Sequence, residues 1–343
     1  YGGGSGRLYF IPKDWYTTEE DEANIDQALG LQYITIVASD GTEEHPIYIN
    51  SAEEFIEIAS NSESLGEDKN YAISTVLDFS GINLTTFGVL RGTIRGIGSS
   101  AGLTNLNITT PTTIGENAYL GLFAYVEEGA TIENLSITAK LAVSTSAKYI
   151  GVVCGENKGT LSNLSVKLLN DYTNSKEMLS ITSQENVYVG IIAGNSSGTI
   201  FNSNGNGLVN VTDVFYVDSV ALLDDVGVYV GGVVGHNSGK IILDDSNYSV
   251  NAEKDFTFKG IIQTSNTKAV GGVAGINAGT TSDENFGLLS GLKISGKIIA
   301  NVNNNEGDNV GGIVGLNAFN LNNQDLTGKV VNCLTRAYVE AGN

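Results

Sequence analysis

Cysteine, proline, histidine and arginine are all scarce in this chain of 343 residues, and each shortage excludes a class of protein. Two cysteines cannot form the disulfide framework that holds small secreted domains together, so a hydrophobic core must do so. Three prolines exclude collagen and proline-rich linkers. Two histidines and two cysteines are too few for a zinc site or a Ser-His-Asp triad, and we expect no metal and no cofactor.

Long apolar runs and positive charge are missing too. Gly, Asn or Asp interrupts every Val/Ile-rich stretch, so the sequence predicts no membrane-spanning helix. The 18 Lys and Arg residues face 38 Asp and Glu, which gives a formal net charge of -20. Such a field repels phosphate backbones and anionic headgroups, which makes nucleic acid and acidic membranes poor partners. Hydrophobic residues reach 41%, enough for a core, so wholesale disorder is excluded.

Glycine, with 43 residues, is abundant and much of it belongs to a repeat. Repeat units start near residues 86, 119, 149, 188, 229, 269 and 309, and the last five align without gaps. One glycine slot holds Gly151, Gly190, Gly231, Gly271 and Gly311, and a second holds Gly155, Gly194, Gly235, Gly275 and Gly315. A polar turn follows, with Asn157, Ser196, Asn237, Asn277 and Asn317 in one slot.

A second motif, Asn-Leu followed by a short strand, begins at Asn105, Asn134 and Asn163, at steps of 29 residues, and Asn332-Cys333 closes the series. The basic unit is therefore about 29 residues, and later units reach 39 to 41 by insertion. The inserts carry aromatic residues along one side, and such insertions are where repeat proteins bind ligands. The candidate binding residues are Tyr172, Phe215, Tyr216, Tyr248, Phe256 and Phe258.

The units are β-branched and lack a helical period, which predicts an all-β fold, a parallel β-helix of about seven rungs. Ten glycines in strand interiors would cost about 5 to 10 kcal/mol, so the backbone must require them. Either a corner with positive φ or a close approach of two backbones would explain them. Equivalent residues stack on one another in such a coil, so the Asn slot predicts a ladder of amides.

The chain before residue 76 lies outside the repeat and predicts a small α+β N-terminal cap over residues 1–75. Residues 1–6 predict a flexible tether. A capping box at Thr17 and Glu20 predicts a helix that ends at Gly30, followed by a strand over 31–37. A second box at Ser51 and Glu54 predicts a helix to about Ser60. The repeats fill residues 76–343, and at their end we expect either more chain or a contact with another protein.

The repeats resemble the GLUG motif of bacterial surface proteins. The resemblance rests on Val-Gly-Gly-Val-Val-Gly-His-Asn-Ser-Gly (230–239), Val-Gly-Gly-Ile-Val-Gly-Leu-Asn (310–317) and the Asn332-Cys333 pair. The stretches that begin at Ser51, Asn70, Leu77 and Phe87 are similar to the lead-in of such arrays, so the resemblance covers about residues 50–343. Phe319 departs from it, because it stands where the turn glycine is expected.

The resemblance implies a β-helical, adhesin-like protein at the cell surface or outside the cell, as in lipoproteins of gut Bacteroidetes. We therefore expect a noncatalytic binding or stalk protein whose ligand is an extracellular protein or glycan, with a lipid anchor upstream of residue 1 as one means of attachment. Two alternatives stay open: a carbohydrate-active β-helix, and a noncatalytic spacer of a larger surface peptidase.

Few residues could carry chemistry. Asp224-Asp225 and Asp244-Asp245 could divide acid and base roles, although turn aspartates of variable inserts are the simpler interpretation. His45 and His236 are the only histidines, and the position of His236 in its unit predicts a solvated turn. Cys154 and Cys333 occupy apolar slots and predict small core residues. Residues 303–309 offer oxygen ligands for calcium but lack a calcium-loop spacing, so a polar loop is favoured.

Overall fold

The fold is known from a computed structural model. It describes residues 6–7, 35–36, 39–61, 65–67, 69–203, 207–223, 226–243, 256–279, 287–302, 309–317, 319–321 and 324–342. The predicted tether and the helix between Thr17 and Gly30 lie outside these residues, apart from the paired strands Gly6–Arg7 and Thr35–Ile36.

Four parallel sheets run along the molecule, and each turn of the chain, or rung, adds one strand to each of them in the order A, B, C, D. Sheet A begins with Thr112–Ile114, which is antiparallel to the next strand, and continues with Asn117–Leu120, Tyr149–Ile150, Val187–Gly190, Val228–Gly231, Ala269–Gly271 and Asn309–Gly311. Sheet B contains Phe87–Leu90, Phe123–Val126, Cys154–Asn157, Ala193–Ser196, Val234–Asn237, Ala274–Asn277 and Val314–Asn317. The predicted parallel β-helix is confirmed.

Sheets C and D complete each rung. Sheet C contains Ile47–Ile49, Asn70–Ile73, Thr93–Gly96, Thr131–Glu133, Thr160–Ser162, Thr199–Asn202, Lys240–Leu243, Leu288–Ser290 and Lys329–Val331. Sheet D contains Val76–Asp78, Gly102–Thr110, Ser136–Lys140, Ser165–Leu168, Val209–Ala221, Phe258–Thr267, Lys293–Val302 and Leu334–Gly342. Asn83–Thr85, Ser144–Thr145 and Leu179–Ser183 pair at its side, and Phe319–Leu321 forms a hairpin with Gln324–Leu326.

The repeated glycines are explained by close backbone approach and not by positive φ. None of the ten has a positive φ. An added Cβ at Gly151 would lie 2.5 Å from Cα of Ala193, and one at Gly275 would lie 2.7 Å from the backbone N of Val230. Distances below about 3 Å are sterically forbidden, so only glycine lets the strands of sheets A and B approach each other around their shared corner.

The predicted amide ladder lies inside the core, with a gap at Ser196. Asn237 donates to Asn277 and Asn277 donates to Asn317, each over 2.8 Å from Nδ2 to Oδ1. Asn157 Nδ2 donates to Ser196 Oγ over 3.1 Å, but the Ser196 hydroxyl does not reach the next rung. Consequently Asn237 Oδ1 is buried without a hydrogen-bond partner among the described residues.

Where the corner between sheets C and D has only two residues, it contains a left-handed residue. Asn134, Asn163 and Asn332 have φ of 57°, 51° and 53°, and Gly291 has 72° in the same slot. Asparagine and glycine tolerate this conformation best, which explains the Asn-Leu motif. Asn105 departs from this pattern. The 29-residue step predicts that Leu106 is equivalent to Leu135, but Leu106 pairs with Ala139, which lies further along sheet D.

Helix α1 (Ala52–Ser60) forms as predicted and covers one end of the core. Glu54 N donates to Ser51 Oγ over 3.1 Å, and Asn50 N donates to Glu54 Oε2 over 2.9 Å. The Phe55 ring contacts Phe79, Phe87 and Phe123 at centroid distances of 5.7, 6.0 and 6.4 Å. The boundary at residue 76 is corrected, because the strands at residues 47–49 and 70–73 already belong to sheet C.

Two further expectations about the repeat need correction. Phe87 pairs with Phe123 in sheet B. The unit that starts near residue 86 therefore begins with a strand of sheet B and not, as the later units do, with a strand of sheet A. The insertions also do not all occur at one corner of the rung. They connect strands within sheet D at 169–178, strands of sheets C and D at 203–208 and 244–257, and strands of sheets B and C at 278–287.

The far end of the stack is less covered than its middle. Val310, Ile313 and Val314 are half-buried, whereas the equivalent Val270, Val273 and Ala274 are fully buried. Among the described residues no strand pairs with the far side of the last rung. Further chain or a partner at this end stays a prediction.

Substituting Gly151 tests the close approach. We expect Gly151→Ala to lower the free energy of unfolding by about 2 to 3 kcal/mol, because its Cβ would overlap the neighbouring backbone. Gly88→Ala is the matched control, since an added Cβ there meets nothing within 4 Å and its φ is not positive. Urea unfolding measures both, and equal stabilities of the two variants would refute the explanation.

Filling the gap in the amide ladder should stabilise the protein. Ser196→Asn supplies an Nδ2 donor for Asn237 Oδ1, and we expect a gain of about 1 kcal/mol in the free energy of unfolding. Ser196→Ala removes the acceptor of Asn157 Nδ2 and should lose about the same amount. Thermal and urea unfolding of both variants provides the measurement. A loss of stability in both variants would contradict a ladder that is broken at this rung.

Candidate functional site

The outer face of sheet D brings together two of the predicted binding residues. The insertion at 169–178 folds into a single helical turn, α2 (Tyr172–Ser175), which begins where the Asp171 side chain accepts from Asn174 N over 2.9 Å. That hydrogen bond is the main reason why the pKa of the Asp171 carboxyl lies below its usual range. The turn ends at Lys176, whose φ is 56°. This local geometry points Tyr172 toward the neighbouring long strand.

Tyr172 and Tyr216 form a stacked pair, called here the tyrosine pair. Their ring centroids are 4.4 Å apart and their planes differ by 10°. The Nζ of Lys176 lies 4.9 Å from the centroid of the Tyr172 ring, within range of a cation–π interaction. Tyr216 OH lies 2.5 Å from Ser265 Oγ in the next rung. Both tyrosines are partly exposed, so the pair presents aromatic surface beside the Lys176 ammonium group.

Strong contacts fix the insertion to the sheet. Asp213, on the same strand as Tyr216, accepts from the backbone N and the Oγ1 of Thr173, each over 2.8 Å. On the other side Lys140 Nζ contacts Glu177 Oε1 over 2.6 Å. A surface held in this way would lose little conformational entropy if a ligand bound to it.

The other predicted binding residues fare differently. Phe256 is partly buried, with Lys259 Nζ 5.9 Å from its ring centroid. Phe215 and Phe258 are fully buried with 0% exposure, so the expectation that they contact ligand is wrong. They lie on strands of sheet D whose alternation turns them inward, and their sequence neighbours Tyr216 and Lys259 turn outward. Tyr248 lies outside the described residues.

A second aromatic feature, which the sequence analysis missed, follows the angle between sheets A and B. Tyr119, Tyr149, Tyr188 and Tyr229 stack along the helix axis at 5.4, 5.8 and 5.4 Å. We call this set the tyrosine column. The signal was visible in the repeat, because tyrosine occupies the same position of four units. The ring faces are used in mutual stacking, so the column stabilises the coil and offers mostly ring edges to a ligand.

Three tyrosines of the column are harder to ionise than a free phenol, because their pKa values are raised. Burial, and secondly the carboxylate of Glu156, raises the pKa of Tyr149 to about 12, and burial raises the pKa of Tyr119 and Tyr188. The same carboxylate accepts from Asn195 Nδ2 over 3.0 Å. Neutral phenols next to these polar groups are consistent with a structural role of this corner rather than with a reactive site.

His236 does not lie in a solvated turn, contrary to the expectation from its position. It belongs to a strand of sheet B, is half-buried and packs 5.5 Å from the Tyr188 ring. Its Nε2 is 3.0 Å from the carbonyl O of Ala278. Burial lowers the pKa of His236 despite this hydrogen bond. The imidazole therefore fills a groove position that Asn195 and Ile276 occupy in neighbouring rungs.

The remaining candidates that the structure describes form no reactive cluster. Cys154 is a fully buried free thiol, as predicted, and burial raises its pKa, while Cys333 is half-buried against the core. The paired aspartates at 224–225 and 244–245 and the loop at 303–308 lie outside the described residues. Within the part of the chain that is described, no group of three or more His, Cys, Asp and Glu side chains could hold a metal ion.

A comparison with known proteins finds no match: no protein-family model, no curated protein and no solved structure matches the chain. Among the described residues, no helix has the length and apolar character needed to cross a membrane.

The half-buried His236 predicts a pH dependence of stability. Because the pKa of His236 is lower in the folded chain than in the unfolded chain, the unfolded chain binds the proton more tightly. Stability from this group is present above pH 6.5 and is lost as the pH falls through the folded pKa. His236→Asn, which copies Asn195, should lose less stability than the wild type between pH 7 and 5. Urea unfolding across this range measures it, and parallel curves would refute the assignment.

Proposed function

We propose that this protein is a noncatalytic binding scaffold of the cell surface, with the tyrosine pair at the centre of its ligand-binding surface. The single observation that carries the proposal is the stacked, partly exposed pair of Tyr172 and Tyr216, held on a rigid stack of strands. Tyrosines are enriched among the residues that dominate binding energy, because they offer large rigid surface and a hydroxyl.

The rest of the fold suits a support. The seven strands of sheet B extend about 30 Å along the axis at the usual spacing of 4.8 Å. Nearly all of the interior side chains are fully buried, which leaves the rungs little freedom to move against one another. Such a stack holds a ligand-binding surface at a fixed distance from its attachment point. The net charge of -20 keeps this strand-rich surface soluble and disfavours polyanionic ligands.

The location at the cell surface rests on the resemblance of residues 230–239 and 310–317 to GLUG repeats. An adhesin-like role, with an extracellular protein or a glycan as ligand and a lipid anchor as attachment, is consistent with that resemblance. A role as a spacer of a larger surface enzyme would use the same rigid stack, and the gene around this sequence distinguishes the two.

The tyrosine pair can be tested by substitution. The protein is immobilised and screened against extracellular-matrix proteins and a glycan array, and each ligand found is titrated against Tyr172→Ala/Tyr216→Ala. We expect the affinity to fall by at least tenfold, the usual cost of removing a central aromatic contact. Tyr48→Ala is the matched control, because Tyr48 is 48% exposed on sheet C and should leave the affinity unchanged.

Two outcomes would contradict the proposal. Equal affinities of the wild type and the double variant would remove the tyrosine pair from the binding surface. Release of reducing ends from any glycan on incubation with the wild-type protein would show that the protein is an enzyme.

A further inference from the structure

The corner between sheets C and D contains a notch two rungs tall. In the rungs of Asn134 and Asn163 this corner is short: residues 134–135 and 163–164 connect the strands. Five residues, 97–101, connect the strands in the rung below, and six residues, 203–208, connect them in the rung above. The two short corners therefore lie between longer connections, over about 10 Å of axis.

The notch is a cavity of about 360 Å³, within the range of small-ligand pockets. Small residues line it from below: Gly96 and Ala101 occupy the positions that Asn134 and Leu135 occupy in the next rung. Leu135 is 2% exposed and forms an apolar floor. Ser99, Asn134 and Ser136 are exposed, so the notch opens to solvent.

Several neutral hydrogen-bonding groups converge on the notch without a protein partner. The side chains of Ser99, Ser136 and Ser165 make no hydrogen bond among the described residues. Asn134 accepts from Asn163 Nδ2 over 3.1 Å, which orients the Asn134 amide and leaves its own Nδ2 available. Ser136 and Ser165 pair in register, so their hydroxyls stand one rung apart. The site thus offers three hydroxyls and an amide donor above an apolar floor.

The chemistry of the lining selects the ligand. None of the described residues that line the notch is charged, so it holds neither a metal ion nor an anion through a counter-charge. The net charge of -20 further disfavours anions. Hydroxyl and amide groups beside apolar surface match a ligand that presents hydroxyls on its edge and C–H groups on its face. We propose that the notch binds one sugar ring of a neutral glycan.

This site goes beyond the tyrosine pair and is separate from it. Ser165 begins its strand of sheet D opposite the start of the Val209 strand. Val209 and Tyr216 pair with Phe258 and Gln263, which are five residues apart, so Tyr216 lies about 17 Å further along the sheet. Substitutions at one site should leave the other unchanged, so either proposal can fail alone.

The test uses the full chain and saturation-transfer difference NMR. The probes are the methyl glycosides of glucose, galactose, mannose and N-acetylglucosamine, with methyl glucuronoside as the anionic counterpart, each up to about 10 mM, which detects millimolar dissociation constants. We expect at least one neutral glycoside to give a signal and the glucuronoside to give none. Ser136→Leu fills the notch from an exposed position and should abolish the signal.

A second variant tests the Asn134 amide without a change in the shape of the backbone. Asn134→Gly removes the carboxamide and keeps the left-handed corner, as Gly291 does in its own rung, and should weaken binding about tenfold. Asn332→Gly makes the same change at the same corner of the last rung and should have no effect, as should Tyr172→Ala/Tyr216→Ala. The proposal is overturned if no neutral glycoside binds, if only the glucuronoside binds, or if Ser136→Leu leaves binding intact.

Discussion

The close approach of two backbones at the corner between sheets A and B is the constraint on which the rest of the structure depends. Because each rung stacks on an identical neighbour about 4.8 Å away, a clash at one rung recurs at every rung. The glycines at Gly151 and Gly275 remove this clash, and their equivalents repeat the solution along the chain. The corner that results aligns the tyrosine column along the outer side of the helix and the amide ladder along its interior.

The repeat and the coil could be predicted from the sequence because stacking places equivalent residues of successive rungs on one another. A position that holds glycine or asparagine in unit after unit therefore indicates its structural environment. Asn277 and Asn317 show this, since their amides bond across rungs as the shared slot predicts. Prediction from the sequence failed where two registers fit equally well. Phe87 and Asn105 each follow a sequence motif, but the strand pairing assigns them to other positions.

The sequence also did not predict which individual aromatic residues are buried. Phe215 and Tyr216 are adjacent in a long insert-bearing strand, and alternation alone does not say which of the two faces the core. Packing decides: Phe215 is buried and Tyr216 turns outward to meet Tyr172. The burial of His236 similarly depends on the neighbouring sheet. Its position looks like an open turn in the sequence, but the packing of sheets A and B at their shared corner covers it.

The two proposed binding surfaces both lie where the repeat departs from its regular pattern. The insertion at 169–178 supplies half of the tyrosine pair, and two short corners between longer ones make the notch. The regular slots build a support that changes little from rung to rung, whereas each departure creates a feature found once. Function in this chain is therefore expected in its irregular positions.

Removing one such departure tests this account most directly. A chain in which Gly-Gly replaces residues 171–177 loses the helical turn and Tyr172 while all four sheets keep their strands. The account predicts that this chain unfolds at nearly the same urea concentration as the wild type and no longer binds the ligand of the tyrosine pair. Unchanged ligand binding in the shortened, folded chain would contradict it.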